Sequence, residues 1–443
     1  MSSSKLYVVV GLGITGLSCV RFLKSQGITC AVTDSRASLP NLDIFQKENP
    51  DVPVHLGGLN EALLAKADVI VLSPGVALRE PAIAAQVKRG TPVIGDIELF
   101  ALMANVPVIA ITGTNAKSTV TTLVGKMAEA AGRRVQVGGN LGVPALELLM
   151  ADQAADLYVL ELSSFQLETT YSLKPKVAAL LNITPDHMDR YDTVADYQRA
   201  KHRVYQHCDV AVCNRDDALT EVTLPNVIRF TMGVPKSGEF GLIKDGGDTY
   251  LAHGHEKLMT TRELPVIGKH YHANALSALA IGYGAGLAMA PMLQVLREFK
   301  GLPHRCQFVR ERDQVKWYND SKGTNVGATQ AAILGLGSDI PGKLVLIAGG
   351  IGKNADFSGL AEVMEKYVRH AVLIGRDAKE IAKAVGNTVP VSFASSMDEA
   401  VQMAARYALP DDVVLLSPAC ASFDMFKHFE HRGDVFMETV ERL

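Results

Sequence analysis

Residues 108–119, VIAITGTNAKST, decide the fold of this chain. A β-branched apolar run leads into a short polar loop, and a lysine with following hydroxyl residues opens a helical pattern. A buried strand, a tight loop and a helix N-terminus in that order bind phosphate, because backbone N–H groups and the helix dipole face the anion. The segment therefore predicts a nucleotide-phosphate site at the edge of a parallel sheet.

This segment departs from the common P-loop pattern, which needs one glycine directly before the lysine and another five residues earlier. Ala116 and Ile111 occupy those two positions. Lys117 can still reach the β- and γ-phosphates, and the hydroxyl that follows it can bind Mg²⁺. The alternative is an ordinary helix N-cap by Thr114 or Asn115. The combination of lysine, hydroxyls and strand favours phosphate binding.

Outward from this segment, short apolar runs alternate with helical patterns. They contain few polar residues and mostly end in Gly, Ser or Asp, which is typical of strands buried on both faces of a parallel sheet. The runs are Tyr7–Val10, Cys30–Thr33, Val69–Leu72, Val108–Thr112, Tyr158–Leu162, Val177–Ile183, Leu344–Ala348, Ala371–Ile374 and Val413–Leu416. Their alternation with helices predicts α/β architecture.

The length of 443 residues exceeds one ordinary core and indicates several domains. Three sub-patterns place the domains at residues 1–96, 97–300 and 301–443. Within the second, Asp245-Gly246-Gly247-Asp248 is a turn signal and predicts a β-hairpin insert.

Composition excludes several classes of protein. The formal charge of −3 gives no electrostatic reason to bind nucleic acid or an anionic membrane. The six cysteines form no CxxC pair, so we expect reduced thiols in the cytoplasm and no structural zinc. The N-terminus does not resemble a signal peptide. The uncharged stretch Ala273–Leu296 contains Pro291 and predicts two packed core helices rather than a membrane span.

A second glycine-rich turn lies near the N-terminus. The motif Gly11–Gly16, GLGITG, follows a strand and opens a helix, and Asp34 ends the next strand 21 residues after Gly13. This arrangement fits a dinucleotide-binding turn, although a tight strand–helix connection without ligand is the alternative. Nothing in the motif selects NAD over UDP. Arg36 could meet a phosphate or lie in solvent.

Later strands also end in polar groups. Glu161 could hold Mg²⁺ or simply be a solvated carboxylate at a strand end. His187, in the segment NITPDHMDR, could coordinate a metal, orient a substrate or serve the structure alone. Lys201 alternates with Arg199 and Arg203 on a helix, and this pattern favours a solvated charged face.

Three strand ends in the last third of the chain present lysine, threonine and serine. They are WYNDSKGTN at 317–325, GGIGK at 349–353 and SPACASFD at 417–424. Since carboxyl ends of parallel strands meet at one edge of a sheet, we expect a shared crevice for an anionic substrate.

Taken in order, the motifs TGTNAKST, ELSSFQLE, LNITPDHMDRY, YQRAKHRVY, GLPHR, NDSKGTN and SPACASFDMFKHFEHRG resemble the Mur ligase family across nearly the whole chain. The resemblance implies a Rossmann-like UDP-binding domain, a central P-loop ATPase domain and a Rossmann-like C-terminal domain that brings in the amino acid. GLGITGLS, LSPGV and SPACASFD look like the members that add D-glutamate. The implied reaction joins D-glutamate to UDP-N-acetylmuramoyl-L-alanine through an acyl phosphate, in a cytoplasmic monomer that uses ATP and two Mg²⁺ ions.

The resemblance also implies site residues. For ATP they are Gly113, Thr114, Asn115, Ala116, Lys117, Ser118, Thr119, Asn274, His304, Arg305 and Asp320. For the UDP-substrate they are Ile14, Thr15, Asp34, Ser35, Arg36, Ser73, Asn140 and His187. For D-glutamate they are Lys322, Thr324, Lys353, Ser422 and Phe429. For Mg²⁺ they are Ser118, Glu161, His187 and a carbamylated Lys201, and the implied catalytic residues are Lys117, His187 and Lys201. Ala116 departs from the glycine usual in the family, and Ile351 stands where a polar residue is more usual.

Three alternatives remain. Another Mur ligase would add L-alanine, a diamino acid or a dipeptide, but the DNPR signature of the diamino-acid enzymes is absent. A folylpolyglutamate synthetase shares the ATPase core and usually lacks the GLGITG domain. A nicotinamide-dependent dehydrogenase would explain the first motif and leave GTNAKST unexplained.

Overall fold

The computed structural model describes residues 5–40, 42–151, 154–266 and 268–443. Within these ranges the chain forms three β-sheets with intervening helices, which confirms the predicted three-domain α/β fold. Among these residues no helix is long and apolar enough to cross a membrane.

The first sheet is parallel and has the order β3-β2-β1-β4-β5. Alternate residues of its central strand enter two different apolar clusters, so both faces of the sheet are covered. The connections reverse direction between β1 and β4, where open α/β sheets bind ligands. Its elements are β1 (Tyr7–Val10), α1 (Ile14–Ser25), β2 (Cys30–Asp34), α2 (Leu42–Glu48), β3 (Val54–Leu56), α3 (Glu61–Leu64), β4 (Val69–Leu72), α4 (Pro81–Lys88), β5 (Val93–Ile94) and α5 (Asp96–Ala101).

The central sheet has the order β14-β13-β12-β11-β10-β9-β6-β8-β7. The phosphate-loop strand β6 lies between β8 and β9, so the loops that follow these three strands are neighbours. The elements are β6 (Val108–Thr112), α6 (Lys117–Ala130), β7 (Val135–Gly139), α7 (Ala145–Met150), β8 (Leu157–Glu161), α8 (Ser164–Glu168), β9 (Val177–Leu180), α9 (Val194–His202), β10 (Val210–Asn214), β11 (Val227–Phe230), β12 (Phe240–Asp245), β13 (Asp248–His253), β14 (Glu256–Thr260), α10 (Lys269–Gly284) and α11 (Met289–Glu298).

Two further sequence predictions are confirmed in this domain. Strands β12 and β13 pair antiparallel across the Asp245–Asp248 turn and form the predicted hairpin. The uncharged stretch Ala273–Leu296 forms most of α10 and α11, and these helices pack on α6 inside an apolar cluster.

The third sheet has the order β15-β16-β20-β17-β18-β19, with β15 antiparallel to the rest. Strands β16, β20 and β17 are adjacent, so the three predicted polar strand ends lie at one edge. The elements are β15 (Gln307–Arg312), β16 (Val315–Asn319), α12 (Val326–Gly337), β17 (Leu344–Gly349), α13 (Leu360–Tyr367), β18 (Val368–Ile374), α14 (Ala378–Val385), β19 (Val391–Phe393), α15 (Met397–Tyr407), β20 (Val413–Leu416) and α16 (Phe429–Arg442). The boundaries at residues 97 and 301 stay predictions.

Candidate functional site

The phosphate loop connects β6 to α6, as predicted. Ala116 precedes the helix in the left-handed region, with φ of 68°. The Lys117 ammonium folds back over the loop and donates to the carbonyls of Gly113 and Thr114, both at 2.9 Å. Burial lowers the pKa of Lys117. The loop therefore holds a desolvated lysine against its own backbone carbonyls.

The loop after β9 braces this phosphate loop. The Asn182 amide oxygen accepts from the Asn115 N–H at 2.8 Å, and its amide nitrogen donates to the Asn115 carbonyl at 3.2 Å. The Thr184 N–H donates to the Thr114 hydroxyl at 3.0 Å. Asn182 and Thr184 lie in the motif LNITPDHMDRY but were not predicted as site residues. A polar pair directly after a buried strand beside the phosphate strand was the available signal.

Lys201 contradicts the interpretation drawn from its local sequence. Its side chain is buried at 1% exposure rather than solvated. Its ammonium donates to the Gly113 carbonyl at 2.7 Å and lies 4.6 Å from the centre of the Tyr197 ring. Burial, followed by the nearby Lys117 charge, lowers the pKa of Lys201 well below its ordinary value. The local pattern was wrong because α9 turns Lys201 toward β6, while the Arg199 side chain is 77% exposed.

Glu161 ends β8, and its charge acts on both Lys117 and Lys201. It is 2% exposed, so the solvated strand-end alternative is wrong. One carboxylate oxygen accepts from the Asn140 side-chain amide at 2.7 Å. The other oxygen is buried and has no hydrogen-bond partner among the described residues. Asn140 thus lies beside Glu161 and does not line the pocket of the first sheet.

The Asp186–His187 loop reaches from the central domain toward the third sheet. His187 adopts the left-handed region with φ of 57°, and burial lowers its pKa. Asp186 accepts from the Asn325 side-chain amide at 3.2 Å and lies 3.9 Å from the Lys353 ammonium. Neither Asp186 nor Asn325 was predicted as a site residue. Their contacts join the two domains across the candidate site.

A cleft of about 110 Å³ lies between the central and third domains and is lined by residues of both. Six residues predicted for ATP line it, namely Asn115, Ala116, Thr119, Asn274, Arg305 and Asp320. Burial lowers the pKa of Arg305, whose guanidinium donates to the Ser118 hydroxyl at 2.8 Å. His304 lies behind the lining instead, 2.9 Å from the Asn319 side chain and buried.

The residues predicted for D-glutamate lie at the edge of the third sheet. The Lys322 ammonium lies 3.8 Å from the centre of the Phe429 ring, and burial lowers its pKa to about 8. Thr324 follows in the same loop, and Lys353 faces Asp186. Ser422 is buried after β20, where its carbonyl accepts from the backbone of the following turn.

The first sheet has its own pocket of about 390 Å³ at the reversal between β1 and β4. It gathers Ile14, Thr15, Asp34, Ser35, Arg36 and Ser73. The Arg36 guanidinium donates two hydrogen bonds of 2.9 and 2.6 Å to the Asp34 carboxylate and lowers the pKa of Asp34 to about 2. Asp34 also accepts from the Leu12 N–H at 2.7 Å, so this carboxylate organises the turn and orients Arg36. Gly16 cannot be replaced here, because a Cβ would lie 1.9 Å from the Gly11 carbonyl oxygen.

Comparison with known proteins agrees with this layout. Three domain families match in order along the chain: the MurD-like N-terminal domain over residues 5–95, the Mur ligase middle domain over 111–282 and the Mur ligase glutamate ligase domain over 304–420. The chain belongs to the Mur ligase family.

This Mur ligase is similar over its whole length to two curated relatives and to a solved structure. It is 53% identical to the UDP-N-acetylmuramoylalanine--D-glutamate ligase of Pseudomonas putida, over 99% of this chain and 98% of that protein. It is 51% identical to the protein of the same name from Pseudomonas aeruginosa, over 100% and 99%. The solved MurF ligase from Thermotoga maritima in complex with ADP has 17% identity and a TM-score of 0.63, over 99% of this chain and 95% of that chain. That likeness establishes the shared fold.

Proposed function

We propose that this Mur ligase joins D-glutamate to UDP-N-acetylmuramoyl-L-alanine with ATP as the energy source. Identity of 53% over almost the full length to a protein of that activity carries the proposal. The geometry supports it, because the phosphate loop and Lys322 line one cleft, and the first sheet has a separate pocket suited to a nucleotide diphosphate.

The chemistry requires activation of a carboxylate, since its oxygen is a poor leaving group for attack by an amine. Transfer of the γ-phosphoryl group from ATP gives an acyl phosphate and ADP. The amine of D-glutamate then attacks the acyl carbon, the amide bond forms and phosphate leaves. Lys117 would neutralise charge on the transferring oxygens from its buried position, where electrostatic interactions are strong.

The donor set fits Mg²⁺ in part. Glu161 offers a buried carboxylate oxygen that has no hydrogen-bond partner within the described ranges, and Ser118 offers a hydroxyl. The described residues contain no group of three or more His, Cys, Asp or Glu side chains placed to hold a metal ion by themselves. Phosphate oxygens and a carbamate on Lys201 would supply the remaining oxygen ligands, with His187 at a second ion. Bound Mg²⁺ would offset negative charge on the phosphates.

The remaining residues hold the two organic substrates. We assign Asn274, Arg305 and Asp320 to the adenosine and phosphate side of the cleft. Arg36 and Ser73 would face the diphosphate of the UDP-substrate. Lys322, Lys353 and Thr324 would bind the two carboxylates of D-glutamate through charge-assisted and hydroxyl hydrogen bonds. The protein would act as a monomer in the cytoplasm.

Phosphate release tests this function. Purified protein, ATP, Mg²⁺ and UDP-N-acetylmuramoyl-L-alanine are incubated separately with D-glutamate, L-glutamate, L-lysine or diaminopimelate. We expect release with D-glutamate and almost none with the other three. Equal turnover with L-glutamate would contradict the assignment of the pocket, and turnover with diaminopimelate alone would indicate another Mur ligase. NADH fluorescence in a binding titration would instead favour the dehydrogenase.

A further inference from the structure

Two arginines reach in opposite directions between the first and central domains. Arg190, just after His187, donates to the carbonyl oxygens of Pro74 at 2.6 Å and Val76 at 3.3 Å. Arg79 reaches back and donates to the Asp189 carbonyl at 3.0 Å. Arg79 also pairs with the Asp192 carboxylate at 2.9 Å. We call these two side chains and their acceptors the arginine clasp.

The first-domain half of the clasp is a wall of the UDP pocket. Ser73, Pro74, Gly75 and Val76 all line that pocket. On the pocket side, the Ser73 hydroxyl donates to the Gly11 carbonyl at 2.7 Å. Arg190 of the central domain donates to the Pro74 and Val76 carbonyls of the same loop. This short loop is therefore fixed between the glycine-rich turn and the arginine clasp.

The central-domain half carries His187. The Arg190 N–H donates to the His187 carbonyl at 2.9 Å. The Arg190 guanidinium lies 3.9 Å from the centre of the Phe165 ring, and that ring meets the His187 ring edge-on at 4.9 Å. Glu168 pairs with Arg190 at 3.0 Å, and the Arg190 side chain is only 13% exposed. Arg190 is thus tied to His187 through both the backbone and a shared aromatic neighbour.

We propose that Arg190 is a positioning residue, assisted by Arg79, which sets the register between the UDP pocket and the His187 loop. This inference deepens the proposed function. A substrate held by its nucleotide end in the first domain must present its carboxylate beside the phosphate loop of the central domain. A guanidinium suits the task because its planar fork serves two carbonyls and a carboxylate together, whereas one ammonium is a point donor. A misplacement of about 1 Å can lower a rate by about 100-fold.

Variants of the clasp test the inference. For Arg190→Ala we expect kcat to fall by about 10- to 100-fold and KM for the UDP-substrate to rise, while KM for ATP stays within about twofold. Added guanidinium at millimolar concentration should restore part of kcat, because it can refill the vacated site. Arg190→Lys should lie between wild type and Arg190→Ala. Arg79→Ala should shift the same two constants by less, since its side chain is 55% exposed.

Arg199→Ala is the matched control. Arg199 is an exposed arginine near the clasp whose described ion pair is with Asp196 on its own helix. The Arg199→Ala substitution should leave kcat and both KM values unchanged. Calorimetry with UDP alone gives a readout without turnover, and Arg190→Ala should weaken UDP binding.

Opposite results would overturn the inference. Wild-type kcat and KM in Arg190→Ala would do so, as would equal changes in every KM with no response to guanidinium, which indicates a merely structural role. If Arg190→Ala does not fold, unchanged constants in Arg79→Ala and Arg190→Lys would overturn it instead. Failure of the wild type to use D-glutamate would reject the proposed function. The UDP titration would still test the role of the arginine clasp, because it requires no turnover.

Discussion

At the scale of single residues, Lys201 offers the sharpest test of chemistry. Its amine is buried, and burial lowers its pKa well below the ordinary value, which favours the neutral form needed to capture CO₂. A carbamate there would turn a cation into an anion able to bind Mg²⁺. We expect Lys201→Ala to lose activity severely, acetate to restore part of it, and bicarbonate to stimulate the wild type in CO₂-depleted buffer.

The control for Lys201 is Arg199→Ala, two positions away on the same helix and exposed. Near-normal activity in Lys201→Ala would return Lys201 to a structural role. A dead variant without acetate rescue, together with a wild type indifferent to bicarbonate, would argue against the carbamate.

Lys322 predicts a pH dependence. Its pKa is lowered to about 8, first by burial and then by the Arg305 charge. The protonated ammonium would bind a D-glutamate carboxylate, so KM for D-glutamate should be flat below pH 8 and rise above it, by at most about tenfold per pH unit. Lys322→Arg keeps its charge and should flatten the profile. Lys343→Arg, at an exposed lysine of the same domain, should not. A rise that persists in Lys322→Arg would assign the titration elsewhere.

At the scale of an element, the phosphate loop contains a local conflict. Ala116 adopts φ of 68°, a conformation that costs an L-residue about 1–2 kcal/mol and costs glycine little. Glycine also brings an entropic cost of about 0.5–1 kcal/mol. We expect Ala116→Gly to stabilise the protein by up to about 1 kcal/mol in urea unfolding and to keep kcat.

Ala130→Gly is the matched substitution for this element, because Ala130 is the exposed last residue of α6 and has ordinary helical backbone. It should destabilise by up to about 0.5 kcal/mol. If both substitutions destabilise equally, the left-handed residue is not a source of strain.

At the scale of the whole molecule, the pocket that we propose for UDP and the loop that we propose for the ATP phosphates belong to different sheets. Lys117→Ala should therefore abolish turnover, since removal of a phosphate-clamping cation costs several kcal/mol. It should leave calorimetric binding of the UDP-substrate nearly intact. Lys126→Ala on the exposed face of the same helix is the control. More than about a tenth of wild-type kcat in Lys117→Ala, a loss of about 1.4 kcal/mol or less, would remove the loop from catalysis.

The pattern of apolar runs is enough to predict the α/β architecture and the polar character of the strand ends. Strands buried on both faces show as continuous apolar runs, so β1, β4, β6 and β20 were predicted to the residue. Short edge strands such as β5 (Val93–Ile94) and β19 (Val391–Phe393) gave no such signal, because their register comes from a neighbouring strand rather than from their own pattern.

Contacts between polar side chains that are distant in the chain depend on how the elements pack. Lys201 looks like one cation among several on a helix, and the packing of that helix against β6 makes it a buried partner of the phosphate loop. Arg190 looks like an ordinary loop arginine until the first domain supplies its carbonyl acceptors. Burial and long-range contact determine these roles, and neither is encoded in local spacing.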